Sequence, residues 1–596
     1  MNSKPLSTRT CLLLILLFGI AAYSNSLTGA FQFDDIPNIL ENHSLQPLNL
    51  GKLWLYHPLR FVANLSFAFN IYLTGFATWG FHVVNLLIHI LTSLVVFDLT
   101  RSVLSTPSMK DWVPPAQQNL FALVAALLFT THPVQTQAVT YIVQRLTSMA
   151  ALFYLATLWM YLKARLEDAR HYRVVFLLML AAMLTKEISF TLPFAILLSE
   201  LFFFPPSAED PLGKKLIRWL PFAAFLLIIP LLYLTYPHLL ARIDGSINIL
   251  PSMAKSTPRW DYLLTQFRVE RTYLRLLFFP VNQCLVYDHR LSTGWGDPDT
   301  WAAFSLLLSV FILSLAFFKK NRLITFGVLW FFLTLSVESS LIPVPDLIFE
   351  HRLYLPMFGF VLFLTSLLWI LLRSVKWFTA ISLAIAVVFS SMAYARNEVW
   401  KTITSLAQDA VRKNPHKGLS YAGLGDAYSR EARDDKAAAV CYQKALDLGF
   451  VTPWVFYNLA AAYGRLGEYE KSAYFQKIIS SSSALKDNIS FYDNHALALI
   501  KKGDYAGAVK MLKEDIKMSP ENPLFYLHLG EAYLKMQRED EAVSSFRKAI
   551  ELAPLSPEGY NALAFLYKKK GDEPRAVAVM VEYLKYKKKH KPLFGD

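Results

Sequence analysis

The sequence predicts an all-α protein in two parts: a polytopic membrane helical domain of about eleven spans over residues 1–395, then a superhelix of helical repeats over 396–596. Three observations predict it. Hydrophobic residues make up 54% of the chain and charged residues only 17%, more apolar than an ordinary soluble protein, and the excess lies wholly in the first two thirds. Apolar runs of about 17 to 22 residues, the length that crosses ~30 Å of hydrocarbon, recur through that region. The last third repeats with a 34-residue period, the mark of stacked helix pairs.

The first apolar run, from Cys11 to about Leu27, follows Lys4 and Arg9. It is expected to be an uncleaved anchor, because Tyr23 to Gly29 is a poor small-residue cleavage site and many spans follow. The apolar runs place spans near 11–28, 81–100, 119–131, 141–162, 174–187, 189–204, 216–236, 301–318, 323–342, 353–372 and 376–394. The 119–131 run is short for a full crossing and is expected to extend or bend. Segments 57–75 and 261–280, the second broken by Arg268, Glu270, Arg271 and Arg275, read as interfacial or re-entrant helices on the outer side.

One orientation puts the basic loops on the cytoplasmic side together: Lys4 and Arg9, Arg101 and Lys110, Lys163 to Arg173, Lys214 to Arg218, Lys319 to Arg322, and Arg373 with Lys376. The net charge of +14 is then a topological signal, and no nucleic-acid partner is expected. The loop after the first span, the loops around His132 and Glu350, and everything after residue 395 fall on the other face.

The repeats are read by alignment. Gly503, Gln537 and Gly571 fall in register, as do Ala508, Ala542 and Ala576, then Leu499, Tyr533 and Tyr567, and finally Pro520 and Pro554. This is the tetratricopeptide pattern. Small residues Ala496, Gly530 and Ala564 let paired helices approach, and aromatics such as Phe546 fill the gap. Looser copies surround Gly425, Tyr428 and Ala438, and Tyr463, Gly467 and Tyr469; a half-repeat ending at Pro415 joins the array to the last span. Such a superhelix offers a concave groove for an extended peptide, or serves only as a scaffold. The basic tail Lys585 to Lys591 reads as a solvated end. The three cysteines, Cys11, Cys284 and Cys441, are far apart and imply neither a disulfide framework nor a zinc site.

Candidate chemistry sits in the membrane part. Phe33-Asp34-Asp35 follows the first span, and adjacent carboxylates in an aromatic context are costly unless hydrated or used. Side chains of successive extended residues point apart, so one aspartate suits a general base and the other the orientation of a residue or a metal. The bland alternative is that Asp35 caps a helix starting near Pro37. Three more polar clusters lie at or near outer span ends: Thr131-His132-Pro133 with Gln135, Gln137 and Arg145; Lys186-Glu187; and Glu350-His351-Arg352 with Tyr354. Charges at membrane depth line a cavity or pair with each other. Together these clusters supply the cations that an anionic head group needs.

The stretches FQFDDIPNILEN (31–42), HPLRFVANLSFAFNIYLTG (57–75), FHVVNLLIH (81–89), THPVQTQAVTYIVQR (131–145), KEISFTLPFAILLSE (186–200) and EHRLYLPMFGF (350–360) together resemble the successive motifs of the transmembrane and tetratricopeptide repeat-containing proteins. The resemblance covers nearly the whole chain, in order. It implies a C-type glycosyltransferase fold like that of protein O-mannosyltransferases, using a polyprenyl-phosphate sugar and glycosylating protein hydroxyls outside the cytoplasm. It maps the family's acidic pair onto Asp34 and Asp35, and it places His132, Arg145, Lys186, Glu187, Glu350 and Arg352 around the cavity. Gln135 and Gln137 stand where a more acidic or His-bearing stretch is common, and the repeat array is shorter than in animal members. A compact bacterial relative fits, with the repeats in the periplasm; in a eukaryote they would be lumenal, with the membrane that of the endoplasmic reticulum.

The chemistry expected from this reading is a single inverting displacement. Asp34 or Asp35 takes the acceptor proton while His132, Arg145, Lys186 and Arg352 hold the donor phosphate. Glu187, Glu350, His351 and Tyr354 support the cavity, and the lipid tail lies between spans. No spacing demands a metal, though a divalent ion is compatible. Two rivals stand beside it: a lipid-linked sugar transferase acting on a glycan or lipid, and a non-catalytic membrane-anchored scaffold. A transporter is disfavoured, because no pair of broken helices in related halves is visible.

Overall fold

The computed structural model describes residues 5–589 apart from 209, 237–257, 345, 482–495, 497–498, 501–502, 519, 521 and 555. Lys4 and the end of the basic tail, residues 590 and 591, lie outside the described residues. The chain divides into two units, Met1–Lys413 and Asn414–Asp596.

The first unit is a set of packed helices. In chain order its principal helices are α1 (Thr8–Tyr23), α2 (Phe61–Thr74), α3 (Thr78–Leu104), α4 (Pro115–Thr131), α5 (Arg145–Leu166), α6 (Tyr172–Met183), α7 (Leu192–Phe203) and α8 (Leu212–Thr235). They continue as α9 (Arg259–Phe278), α10 (Pro298–Ala316), α11 (Arg322–Leu335), α12 (Pro356–Leu372), α13 (Val375–Val399) and α14 (Ile403–Lys413). Among the described residues six are long and apolar enough to cross a membrane: α3, α8, α10 and α13, together with α1 and α5 lengthened by one short turn each; α11 and α12 are shorter apolar helices. This is the make-up of a multi-pass membrane protein.

Local sequence sets the starts. Asn321 Oδ1 accepts the Leu323 and Ile324 N–H groups ahead of α11, satisfying donors that the first turn leaves free. Pro115, Pro298 and Pro356 open α4, α10 and α12, where a missing N–H costs nothing. The short 119–131 run gains a turn at its N-terminus, and α4 is buried without a break from Phe121 to Thr131. It forms the centre of a core shared with α1, α3, α12 and α13.

The two segments read as interfacial or re-entrant are helices α2 and α9. One face of α2 is buried through Ala63, Phe67 and Ile71, while Phe69, Tyr72 and Leu73 are exposed. Helix α9 buries Tyr262, Gln266, Glu270 and Tyr273, and two of its arginines are paired: Arg268 Nη1 with Asp297 at 3.3 Å and Arg271 Nη1 with Asp299 at 2.7 Å.

Loops from distant parts of the chain meet at one end of the unit. Val62 N–H donates to the Leu184 carbonyl at 3.0 Å and Ala30 N–H to the Lys401 carbonyl at 3.1 Å. Elsewhere, away from these loops, Glu200 on α7 gathers basic residues, with Arg165 Nε at 3.0 Å, Arg218 Nη1 at 2.8 Å and the Tyr161 hydroxyl at 2.7 Å.

Helices α11 and α12 cross glycine to glycine. A Cβ on Gly359 would lie 2.6 Å from the Gly327 carbonyl oxygen and 2.6 Å from the Trp330 ring, so the two backbones are in contact, as small residues allow in membrane packing. Gly359→Ala is therefore expected to destabilise the crossing by about 1–3 kcal/mol, read as a lowered thermal midpoint of the purified protein in detergent. An unchanged midpoint would mean that the crossing relaxes.

The second unit is a run of helix pairs, including Gly418–Ala427 with Asp435–Asp447, Pro453–Arg465 with Tyr469–Ser481, Pro523–Lys535 with Glu539–Leu552 and Pro557–Lys569 with Glu573–Lys589. Gly425 sits against the Tyr442 ring and Gly530 against the Phe546 ring, where a Cβ would meet ring atoms at 2.7 and 2.5 Å. The aligned turn positions Gly503, Gln537 and Gly571 share positive φ, 87°, 61° and 75°, so the 34-residue period is a period of left-handed turns.

Candidate functional site

The loop after α1 carries both aspartates, and they are used differently. Asp35 is fully buried. Its Oδ2 accepts the Gln32 N–H at 2.8 Å and its Oδ1 accepts the Val143 N–H at 2.7 Å. The first bond closes the turn through Phe33, whose φ of 32° is unfavourable for a residue with a side chain. The second ties the loop to the start of α5. Asp35 thus spends both oxygens on backbone donors. Asp34 spends its backbone instead: its N–H donates to the Tyr141 hydroxyl at 2.8 Å and its carbonyl accepts from Asn38 Nδ2 at 2.8 Å.

The Asp34 carboxyl faces the Tyr141 hydroxyl and Arg60. Burial pushes its pKa above the usual carboxylate value, against the hydrogen bond from Tyr141 and the charge of Arg60. Asp35 is raised further by burial, opposed by its two backbone bonds.

A run of charges passes near Asp34 and forms a circuit beside it. Arg60 Nε lies 4.0 Å from Glu187 Oε1. Beside Glu187, Lys186 Nζ donates to Thr147 Oγ1 at 2.9 Å and lies 3.5 Å from Glu338 Oε1. The same Glu338 oxygen lies 3.7 Å from Arg352 Nε. Arg352 donates through Nη1 to the Leu347 carbonyl at 3.2 Å and through Nη2 to the Asp346 carbonyl at 2.8 Å. Asp346 feels both Arg352 and Asp34, and its carboxyl is raised to about 6, mainly by burial. Helix α9 backs the arrangement: the Tyr262 hydroxyl donates to the Glu338 carbonyl at 2.7 Å and the Tyr273 hydroxyl to that of Phe349 at 2.9 Å.

Of the residues singled out in the sequence, the structure brings together Asp34, Lys186, Glu187 and Arg352, with His351 at the edge. His351 donates its N–H to Gln137 Oε1 at 2.7 Å and stacks on Phe349 at 5.1 Å; burial, with Lys186 and Arg352 near, holds its ring pKa well below the ordinary value.

Asp35 holds the backbone beside Asp34, and the other four lie apart. Glu350 accepts from Gln283 Nε2 at 3.0 Å, the Cys284 N–H at 2.7 Å and the Tyr287 hydroxyl at 2.5 Å. Arg145 is enclosed by Asn85 Oδ1 at 2.7 Å, Asn70 Oδ1 at 2.8 Å and the Phe81 carbonyl at 3.0 Å, over the Phe67 ring. His132 Nε2 is 2.9 Å from the Leu277 carbonyl, and the Tyr354 hydroxyl is 2.8 Å from His89 Nδ1, both within the core.

Sequence reasoning missed Arg60, Tyr141, Glu338 and Asp346. Arg60 and Tyr141 fall inside the quoted motifs, and Glu338 is an acid at the end of an apolar run, a signal in itself. Among the described residues no group of three or more His, Cys, Asp or Glu is placed to hold a metal ion.

Comparisons with known proteins agree with this organisation. Residues 499–564 match the Tetratricopeptide repeat family. Over most of its length the chain is similar to the protein O-mannosyl-transferase Tmtc3 of Drosophila melanogaster, with 24% identity over 87% of this chain and 65% of that protein. It is similar to the protein O-mannosyl-transferase TMTC3 of Homo sapiens with 23% identity over 89% of this chain and 63% of that one. A shorter stretch, 25% of this chain, is 35% identical to 22% of the protein O-mannosyl-transferase TMTC4 of Homo sapiens. The chain spans a little under two thirds of the length of the first two relatives. Among solved structures, MamA 41-end from Desulfovibrio magneticus RS-1 matches 29% of this chain with 97% of its own, at 18% identity and a TM-score of 0.25. The likeness to the transmembrane and tetratricopeptide repeat-containing proteins read from the motifs thus extends over most of the chain.

Proposed function

We propose that this chain is an integral-membrane glycosyltransferase that moves a sugar, mannose or a similar hexose, from a polyprenyl-phosphate donor to Ser or Thr hydroxyls of proteins. The observation that carries the reading is the division within the charge circuit. Asp34 is the aspartate whose carboxylate is not committed to backbone donors, and across the circuit Glu338 holds Lys186 and Arg352 within 3.5 and 3.7 Å of one oxygen. A base on one side and clustered cations on the other are what this displacement needs.

In the reaction Asp34 accepts the proton of the acceptor hydroxyl as its oxygen bonds to the anomeric carbon. The bond from that carbon to the phosphate oxygen breaks, and polyprenyl phosphate leaves with one more negative charge, which Lys186 and Arg352 neutralise, with Arg60 nearby. A single displacement inverts the anomeric centre. Arg145 and Asp35 hold the frame, and His351 lines the phosphate side.

Eleven crossings, α1, α3 to α8 and α10 to α13, put every member of the circuit on the side opposite the basic loops, which is the non-cytoplasmic face. The periplasmic side of a bacterial inner membrane, or the lumenal side of the endoplasmic reticulum, follows. Residues 1–395 supply the transferase, and the repeats after them hold the acceptor or a partner polypeptide.

The test is transfer of radiolabelled sugar from polyprenyl-phosphate donors in membranes carrying the protein. Label in protein supports the reading; label in lipid or polysaccharide alone sinks it. The pH profile is a second test. A general base works only when ionised, and the Asp34 pKa is raised, so transfer is expected to be lost as pH falls through a value above the ordinary carboxylate range of about 4. An acid limb at the ordinary value would exclude Asp34 as the base.

A further inference from the structure

We propose that Tyr141 and Trp400 are positioning residues for Asp34, which makes the corner where the chain leaves its last membrane helix a working part of the site. The proposal rests on the reading of Asp34 as the base.

Asp34 sits in an irregular stretch whose backbone needs outside ties. Three of them come from two places. Ala30 N–H donates to the Lys401 carbonyl at 3.1 Å and Gln32 Nε2 to the Trp400 carbonyl at 3.3 Å. The third is the Tyr141 hydroxyl, which accepts the Asp34 N–H at 2.8 Å and lies close enough to the Asp34 carboxyl to favour its ionised form. With one lone pair accepting the backbone N–H, the hydroxyl keeps its proton to turn toward the carboxylate. That single hydroxyl sets both where the residue sits and how its carboxylate is turned.

The Tyr141 ring is itself placed by Trp400, with centroids 5.3 Å apart and planes at 32°, and both side chains are almost fully buried, at 2% and 1% exposure. The neighbouring bonds hold the pair from both sides. Thr140 Oγ1 donates to Asn397 Oδ1 at 2.8 Å, and Asn397 Nδ2 donates to the Ala22 carbonyl at 2.9 Å. One turn before Trp400, Arg396 Nη1 meets Asp409 on α14 at 2.6 Å.

The charged and titratable groups that Asp34 feels are Arg60 from the start of the α2 segment, Tyr141, Asp346 from the loop before α12, and Asp35 on its own loop. Tyr141 is the neutral donor of this set. Removing its hydroxyl therefore frees the carboxylate without adding or deleting a charge. The plain alternative is an aromatic pair that only fills space, in which case Tyr141→Phe is harmless.

The test uses the full chain in membranes, with transfer measured against donor concentration and pH for wild type, Tyr141→Phe, Trp400→Leu and Trp400→Phe. Tyr141→Phe is expected to lower kcat by about 10- to 100-fold, to leave the donor KM within a factor of about 3, and to move the acid limb to higher pH, because a bond favouring the carboxylate is gone. Trp400→Leu is expected to act in the same direction and Trp400→Phe to recover most of the loss. If Trp400→Leu fails to fold, Tyr141→Phe decides alone. Wild-type transfer with an unaltered kcat and pH profile in Tyr141→Phe overturns this inference and leaves the proposed function standing. No transfer by the wild type overturns both.

Discussion

Asp34→Asn is expected to lower sugar transfer by about 10²- to 10⁴-fold while leaving the thermal midpoint of the purified protein close to that of wild type. The amide keeps the size of the carboxylate, and the backbone bonds of Asp34 to Tyr141 and Asn38 do not involve the side chain. What it loses is the capacity to take a proton. Asp35→Asn is expected to act through stability instead. Its two oxygens accept from two backbone N–H groups, and an amide turns one acceptor into a donor that faces a donor. The loop loses a buried bond, at a cost of about 1–3 kcal/mol, and the midpoint falls along with activity. Measuring labelling and midpoint for both variants separates base from frame; an active Asp34→Asn protein would end the mechanism.

The second large effect is expected at the phosphate side. Arg352→Gln should reduce kcat by about 10²- to 10³-fold and raise the donor KM, since the leaving phosphate loses a cation present in both ground and transition states. Glu338 then faces Lys186 alone, so the remaining ammonium is more fully neutralised and worth less to the donor. Steady-state rates against donor concentration, with acceptor saturating, give both numbers. An Arg352→Gln protein with the wild-type donor KM and kcat would mean that the phosphate lies elsewhere.

Much of the helical layout was legible in the sequence, because apolar runs and capping residues are local. The run at 81–100 belongs to Thr78–Leu104, and the one at 376–394 to Val375–Val399. Helix ends next to the charge circuit were not legible. Two runs read through to 187 and 342 stop as helices at Met183 and Leu335, since Lys186 and Glu338 leave helical geometry to meet each other. The acidic pair itself was visible, but which aspartate is bonded to backbone depends on Val143 and Gln32, whose N–H groups cannot be located by spacing. His132 and Arg145 read as rim cations for the same reason: their oxygen partners come from Leu277, Asn85 and Asn70, far away in the chain. The turn period at Gly503, Gln537 and Gly571 was readable because each repeat solves the same local problem.

Helix Ile403–Lys413 closes the first unit and is tied back to the last long helix by Asp409, which meets Arg396 at 2.6 Å. For gene architecture this marks a seam. A recombination joint after residue 395 separates the loop of Asp34 from Trp400 and Lys401, whose carbonyls anchor it. A joint after Lys413 transfers the whole set. The repeats beyond that seam carry none of the residues proposed for catalysis, so in the proposed function the part that would hold the acceptor is set apart from the part that would transfer the sugar.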